Sequence, residues 1–125
     1  MPRSKVVEVN TIETFEEQLQ KLLSALKGEK IHKIIVFGSV ANGHIHEDSD
    51  LDLLIVLDTD YLPTTYEERM EYRLQIQRKV RDVRKRIPVD LLIYTRPEYE
   101  MITEDMSSFM KEIHESGKVI NEKAG

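Results

Sequence analysis

The sequence predicts an α/β (α+β) fold in which helices pack on a small mixed β-sheet. Three stretches are rich in aliphatic and β-branched residues, as strands are. They alternate with segments whose apolar residues recur at helical spacing. All three strands are aliphatic enough to be covered by helices on at least one face. The chain has 125 residues, of which 40% are hydrophobic, and this size fits one packed domain over residues 1–125.

The first half of the chain is predicted to contain a helix, a strand, a short helix and a second strand. Apolar residues at helical spacing predict a helix over residues 11–27, followed by a glycine. Ile31–Phe37 is rich in β-branched residues and predicts the first strand. Residues 39–42 indicate one or two helical turns, and residues 44–49 are polar and predict a loop. Asp50–Leu57 is aliphatic after its first residues and predicts the second strand.

The second half is predicted to contain a long helix, a third strand and shorter helices. The long helix spans about residues 66–86, and Val89–Tyr94 is the third strand. Thr95–Pro97 is typical of a helix start, because proline is tolerated in the first turn. Ser107–Ser116 predicts a last helix, and Lys118–Ile120 a short edge strand. The apolar stripe predicted for the long helix consists of Met70, Leu74, Val80, Val83 and Ile87.

Composition excludes several classes of function. There is no cysteine, so disulfides and thiolate-based zinc sites are excluded. The formal net charge is −5, and proteins that hold nucleic acid by bulk charge usually carry the opposite sign. The longest stretch without Asp, Glu, Lys or Arg is residues 34–46, which is too short to span a bilayer. No apolar run follows the basic N-terminus, so we expect no signal peptide and a cytoplasmic protein.

A glycine and a serine mark the turn after the first strand. Gly38 ends the strand and Ser39 opens a short helix. Free backbone N–H groups at such a turn attract anions, glycine lets a phosphate approach closely, and the serine hydroxyl adds a donor. An ordinary strand-to-helix turn with serine as the N-cap uses the same two residues. Taken alone, this pair favours the ordinary turn.

The predicted topology brings three aspartates to one end of the sheet. Asp50 and Asp52 are two residues apart at the start of a strand, so their side chains point to the same face. Carboxylate pairs of this kind either face solvent or hold a cation, and oxygen ligands suit Mg²⁺. Asp90 begins the third strand. A helical crossover makes the second and third strands parallel, and the short connection before the second strand indicates an antiparallel first pair. The turn and the three carboxylates therefore converge at one end of the sheet.

This constellation resembles the DNA polymerase β-like nucleotidyltransferase superfamily. The shared pattern is Gly-Ser-x-Ala-x-Gly, a short loop, Ser-Asp-Leu-Asp-Leu-Leu and an isolated aspartate in an aliphatic strand. At this length the chain is similar to the minimal nucleotidyltransferases, the MNT half of HEPN–MNT toxin–antitoxin pairs. The resemblance implies that Gly38 and Ser39 hold the terminal phosphates of a nucleotide. It also implies that Asp50 and Asp52 bind a pair of metal ions, and that Asp90 is a metal ligand that helps to activate the attacking hydroxyl.

The resemblance further implies a reaction and a partner. The reaction would be Mg²⁺-dependent transfer of AMP from ATP to a hydroxyl, with two metal ions and with Mn²⁺ as a possible substitute. The acceptor would be a tyrosine of a HEPN toxin protein, which makes the chain an antitoxin. One alternative is a nucleotide-binding module that neutralises its partner by contact alone. Another is a small-molecule nucleotidyltransferase, although those relatives usually carry a second helical domain. No sequence feature identifies the acceptor.

Overall fold

A computed structural model describes residues 15–41, 43, 50–84, 88–104 and 108–122. Over these residues four strands form a mixed sheet in the order β3-β2-β1-β4. Strand β1 runs antiparallel to both of its neighbours, whereas β2 and β3 are parallel. The predicted mixed sheet is confirmed, including the directions of its first three strands. The strands are β1 Ile31–Phe37, β2 Leu51–Leu57, β3 Val89–Thr95 and β4 Lys118–Glu122.

The helices lie close to their predicted positions. Residues 15–25 form α1, while residues 11–14 of the predicted first helix lie outside the described residues. The predicted loop at 44–49 and the end of the predicted short helix at Asn42 lie outside them as well. The remaining helices are α2 Gly38–Ala41, α3 Tyr66–Lys79, α4 Arg81–Arg84, α5 Arg96–Glu104 and α6 Ser108–Ser116.

The long helix predicted over residues 66–86 is broken at Val80. Helix α3 begins at the N-cap Thr65, whose side chain accepts a hydrogen bond from the Glu68 backbone N–H. At Val80 the backbone leaves helical geometry, with φ −101° and ψ 9°, although its N–H still donates to the Ile76 carbonyl. Val80 is completely buried. The chain thus closes the last turn of α3, buries a β-branched side chain in the core and starts α4 at Arg81.

The apolar stripe predicted for this helix is confirmed at Val80 and wrong at Leu74, and the side chain of Val83 and residue Ile87 lie outside the described residues. Ile76 is the buried residue of α3, and Tyr72 packs beside it against the core. Together with Val80 they repeat every four residues, which is the spacing of one helix face. Leu74 lies off that face and is 38% exposed. Apolar residues occur on more than one face of this helix, so their spacing did not identify the buried face. Packing against the sheet buries the face of Tyr72 and Ile76.

Helices cover both faces of the sheet. Alternate strand residues, for example Val36 and Leu53, pack with α1 and α3 on what we call the α1/α3 face. The residues between them, for example Phe37 and Leu54, pack with α5 and α6 on the α5/α6 face. Asp52 and Asp90 alternate in step with this second set. Within the ranges described, no helix is long and apolar enough to cross a membrane.

Candidate functional site

The sheet topology brings the predicted site residues to one end of three adjacent strands. Asp52 lies directly across from Asp90 on the parallel strand β3. It also lies across from Phe37 at the end of the antiparallel strand β1. Gly38 follows Phe37 and begins α2, and Ser39 is the next residue of that helix. The end of β1 and the starts of β2 and β3 therefore lie side by side, and the site residues Asp52 and Asp90 face the α5/α6 side.

Gly38 is held where no other residue fits without strain. Its φ is +76°, a left-handed conformation that side chains other than glycine rarely adopt. A Cβ at this position would lie 2.2 Å from Asp52 Oδ2 and 3.1 Å from its Cγ. The Gly38 backbone therefore lies directly against the Asp52 carboxyl. The sequence explained this glycine by the approach of a phosphate, and the structure adds the approach of a carboxylate.

Asp52 is the electrostatic centre of the site. Its pKa is raised from 3.8 to about 6, chiefly because the carboxyl is partly buried. The negative charges of Asp90 and Asp50 raise the pKa further, and so does a hydrogen bond between the side chains of Asp52 and Asp90. When Asp52 is protonated, its carboxyl can donate a hydrogen bond to Asp90, and we call these two side chains the acid pair. Asp50, just before β2, acts on this pair through its charge.

The carboxylates fit a divalent cation. Their oxygens are the donors that Mg²⁺ and Mn²⁺ prefer. In the part of the chain that the structure describes, no three His, Cys, Asp or Glu side chains surround a common ion position. Asp52 and Asp90 form a pair of oxygen donors, and Asp50 acts on them through its negative charge. A cation between the pair would offset the charge that raises the pKa of Asp52.

A cavity of about 450 Å³ opens beside the acid pair. Its apolar wall comes from the end of β1, from the first half of β3 and from α6. Its polar atoms come from the carboxylates and from the exposed side of α6. Its volume is in the range of small-molecule sites. The lining residues are Phe37, Gly38, Asp52, Asp90, Leu91, Leu92, Glu112, Ile113 and Ser116.

Sequence reasoning missed the contribution of α6 to this cavity. Glu112 and Ser116 lie one turn apart, and the Ser116 hydroxyl donates to the Glu112 carbonyl at 2.7 Å. Gly117 lets the helix end come close to β1, because a Cβ there would lie 2.3 Å from the Ile113 carbonyl oxygen and 2.7 Å from Ile35 Cγ2. The available signal in the sequence was the glycine after the polar end of α6. A glycine there indicates that the helix end packs closely on another element, but it does not identify that element.

The raised pKa of Asp52 predicts how the metal-free protein responds to pH. Between pH 4 and 6 the folded chain binds a proton at Asp52 that the unfolded chain has released, so its stability falls as pH rises through this window. Asp52→Asn should therefore stabilise the protein at pH 8, by about 1–2 kcal/mol after allowance for solvent screening, and much less at pH 4. Denaturant unfolding at both pH values measures this. Asp82→Asn, at an exposed position of α4, is the control. An equal gain at pH 4 and pH 8 would contradict the electrostatic account.

Residues 17–124 match the family described as polymerase beta, nucleotidyltransferase. A candidate protein adenylyltransferase of Methanocaldococcus jannaschii, MJ0604, is 45% identical over 49 residues. That match covers 37% of this chain and 49% of the relative, so the chain spans about half the length of the curated relative that it matches.

Two solved structures share the fold. One is a chain of a toxin–antitoxin crystallised with AMP-PNP, with a TM-score of 0.54 and 20% identity, covering 83% of this chain and 73% of that one. The other is a candidate nucleotidyltransferase from Sulfolobus solfataricus, with a TM-score of 0.53 and 16% identity. It covers 96% of this chain and 87% of its own length. At these identities the likeness concerns the fold.

Proposed function

Because the chain belongs to the polymerase beta nucleotidyltransferase family, we propose that it transfers AMP from ATP to a hydroxyl group on a partner protein. One observation carries this proposal. Asp52, held against the Gly38 backbone, pairs with Asp90 across two parallel strands at the mouth of a cavity. With a divalent cation held by the carboxylates to offset their charge, such an arrangement can hold a polyphosphate beside a carboxylate that receives a proton.

The reaction forms one bond and breaks another at the α-phosphorus. The acceptor oxygen bonds to that phosphorus, the bond from phosphorus to the oxygen that bridges to the β-phosphate breaks, and pyrophosphate leaves. Asp90 takes the hydroxyl proton, while Gly38 and Ser39 hold the terminal phosphates. Asp50, Asp52 and Asp90 would hold Mg²⁺ in the two-ion arrangement that the family resemblance implies. Bound metal supplies charge neutralisation at the attacking and leaving oxygens.

Two likenesses support a protein acceptor. The M. jannaschii relative is a candidate protein adenylyltransferase, and its match is limited to 49 residues. One of the structures with the same fold is a toxin–antitoxin with AMP-PNP. The resemblance to minimal nucleotidyltransferases adds the class of partner, a HEPN-domain toxin. We therefore take a HEPN-domain protein as the acceptor and ATP as the donor.

Ser39→Ala tests the phosphate-holding role of the turn. If the hydroxyl bonds the terminal phosphates, its loss should weaken ATP binding by about 1.5–3 kcal/mol and leave AMP binding nearly unchanged. Calorimetric titration with both nucleotides in Mg²⁺ measures the difference. Ser116→Ala removes a hydroxyl from the wall of the candidate cavity and is the control. Equal loss for ATP and AMP would show that Ser39 serves only as a helix cap.

The proposed transfer is tested with ATP labelled on either the α- or the γ-phosphate. The purified chain is incubated with Mg²⁺ and each nucleotide, with and without a HEPN-domain protein from the same genome. Label from the α-phosphate should appear on the HEPN protein, and label from the γ-phosphate should appear in pyrophosphate. If Mg-ATP binds, the toxin is neutralised and no label moves, the chain is a module that acts by contact.

A further inference from the structure

Strand β3 forms one outer edge of the sheet and carries Asp90 near its start. It pairs with β2 on one side, and the strand order places no described strand on the other. Leu91 and Leu92 point to opposite faces, yet both are only partly buried, as expected where an edge is open. From Leu91 to Thr95 the strand has no charged residue. Natural edge strands usually carry several charges or a proline that block added strands, whereas Asp90 is the one charged residue of β3.

The outward-facing backbone groups of β3 can be identified from the register. The Leu51 N–H donates to the Pro88 carbonyl at 3.0 Å, so the backbone of Pro88 points toward β2. Because direction alternates along a strand, Asp90, Leu92 and Tyr94 also point toward β2. The N–H and C=O groups of Val89, Leu91 and Ile93 then point outward. No backbone group elsewhere in the described ranges bonds to these three residues.

The outward row has a defined end. The next outward N–H belongs to Thr95, and it donates to Glu98 Oε1 at 3.0 Å. Glu98 is in turn fixed by Arg69, whose Nε lies 3.2 Å from Glu98 Oε2. The accessible edge therefore runs from Val89 to Ile93. Its length suits the pairing of about five residues of an extended chain.

A second cavity lies at the far end of this edge. It measures about 270 Å³, and its lining includes Tyr94 together with α3 residues from one side of the sheet and α5 residues from the other. Two of its apolar residues are well exposed, Leu62 at 40% and Met101 at 59%. Asp90 and Tyr94 are four residues apart, which is about 13 Å along a strand. The two cavities are thus joined by the open edge.

We propose that the edge of β3 binds an extended segment of the acceptor protein as an added strand. The proposal rests on the proposed AMP transfer and says how the acceptor reaches the site. A residue of the added strand directly opposite Asp90 points to the same face and enters the larger cavity. The residue four positions away lies opposite Tyr94 and enters the smaller cavity. The segment therefore has a hydroxyl side chain and an apolar side chain separated by four positions.

Charge adds a further property of the segment. Arg73 lines the smaller cavity, and within the described part of the chain no carboxylate pairs with it. Arg69, beside it in the lining, is already paired with Glu98. An acidic residue next to the apolar anchor would complement Arg73. The expected ligand is an extended acidic segment, and its main-chain hydrogen bonds supply affinity that does not depend on its other side chains.

The test uses synthetic nine-residue peptides on a threonine and valine background. Each carries one tyrosine and one leucine separated by two, three, four or five positions, with glutamate beside the leucine. Binding to the full chain is measured by calorimetry without nucleotide. Spacing four should bind at least about tenfold more tightly than spacing three, because only an even spacing puts both side chains on one face. N-methylation of the alternate peptide amides that face β3 should abolish binding, because those amides donate the main-chain hydrogen bonds. Equal binding of all spacings, or no binding by any, overturns the proposal.

Variants of the protein locate the binding edge. Leu91→Pro removes an outward N–H while keeping the bonds to β2, so it should weaken spacing-four binding about tenfold. Leu91→Ala keeps that N–H and is the control for side-chain loss. Arg73→Glu should weaken binding more than Arg78→Glu, which changes the same charge at an exposed position outside the cavity. Unchanged binding in both Leu91→Pro and Arg73→Glu overturns the proposal.

The same experiment separates this proposal from the proposed function and from self-association. If the peptide binds at the β3 edge but AMP never reaches a HEPN protein, docking stands and the transfer activity fails. If AMP is transferred and Leu91→Pro transfers it equally fast, the activity stands and the docking fails. Sedimentation tests the competing occupant, a second copy of the chain. A dimer that Leu91→Pro disperses would show that the edge belongs to that copy and would overturn the proposal.

Discussion

Asp90→Asn should lower the rate of AMP transfer by about 10²–10⁴-fold and leave ATP binding within a few-fold of the parent protein. Asp90 lies across from Asp52 and lines the cavity where we propose that the acceptor hydroxyl binds. Its charge is needed most when the attacking oxygen loses its proton. An interaction made mainly in the transition state affects turnover more than ground-state binding. Initial rates of label transfer and a titration with ATP, run on the same variant, measure the two effects.

The control for this prediction is Glu112→Gln. It makes the same chemical change in the same cavity, but on α6 and not on the strands that carry the acid pair. We expect a loss of a few-fold at most. If both variants lose activity equally, the cavity needs negative charge in general and Asp90 has no specific role. If Asp90→Asn transfers AMP as fast as the parent, another carboxylate completes the site.

Gly38→Ala should abolish most of the activity and also destabilise the protein. The left-handed backbone conformation of Gly38 costs about 1–2 kcal/mol for a residue with a Cβ. In addition, the new Cβ would lie 2.2 Å from Asp52 Oδ2, so the carboxylate must move. Displacing one catalytic group by about 1 Å can cost roughly 10²-fold in rate. We therefore expect a loss of at least that size, together with weaker Mg-ATP binding.

Gly43→Ala is a close control for Gly38→Ala. Gly43 has the same φ of +76°, and among the described residues a Cβ there would meet nothing within 4 Å. Both variants carry the backbone penalty, and only Gly38→Ala carries the clash with Asp52. Thermal unfolding and transfer rates of the two variants separate the contributions. If both lose activity to the same degree, the backbone conformation alone matters and the contact with Asp52 does not.

The arrangement of the candidate site could be predicted from the sequence because few rules govern it. The aliphatic strands stand out in composition, and the crossover rule makes β2 and β3 parallel. The strand positions and the parallel pairing together place Asp52 beside Asp90, without any knowledge of side-chain packing. The resemblance to a nucleotidyltransferase family, read from the motif around Gly38 and Asp52, is confirmed by the match over residues 17–124. The roles assigned to the site residues remain predictions.

Other features depended on packing that sequence spacing does not encode. The break at Val80 follows from burial of one side chain, and the face of α3 that meets the sheet is selected by Ile76 rather than Leu74. Glu112 reaches the cavity because Gly117 lets α6 pack closely on β1. The open edge of β3 appears only when the strand order is known, since the same aliphatic run would suit a central strand.

The proposed transfer of AMP from ATP onto a partner protein is tested most directly by intact mass. The chain and a HEPN-domain protein are incubated together with ATP and Mg²⁺ and weighed by mass spectrometry. We expect the HEPN protein to gain the mass of one or more adenylyl groups, and we expect Asp90→Asn to prevent the gain. If neither protein gains that mass while the parent chain binds Mg-ATP and the HEPN protein, the claim of catalysis is contradicted.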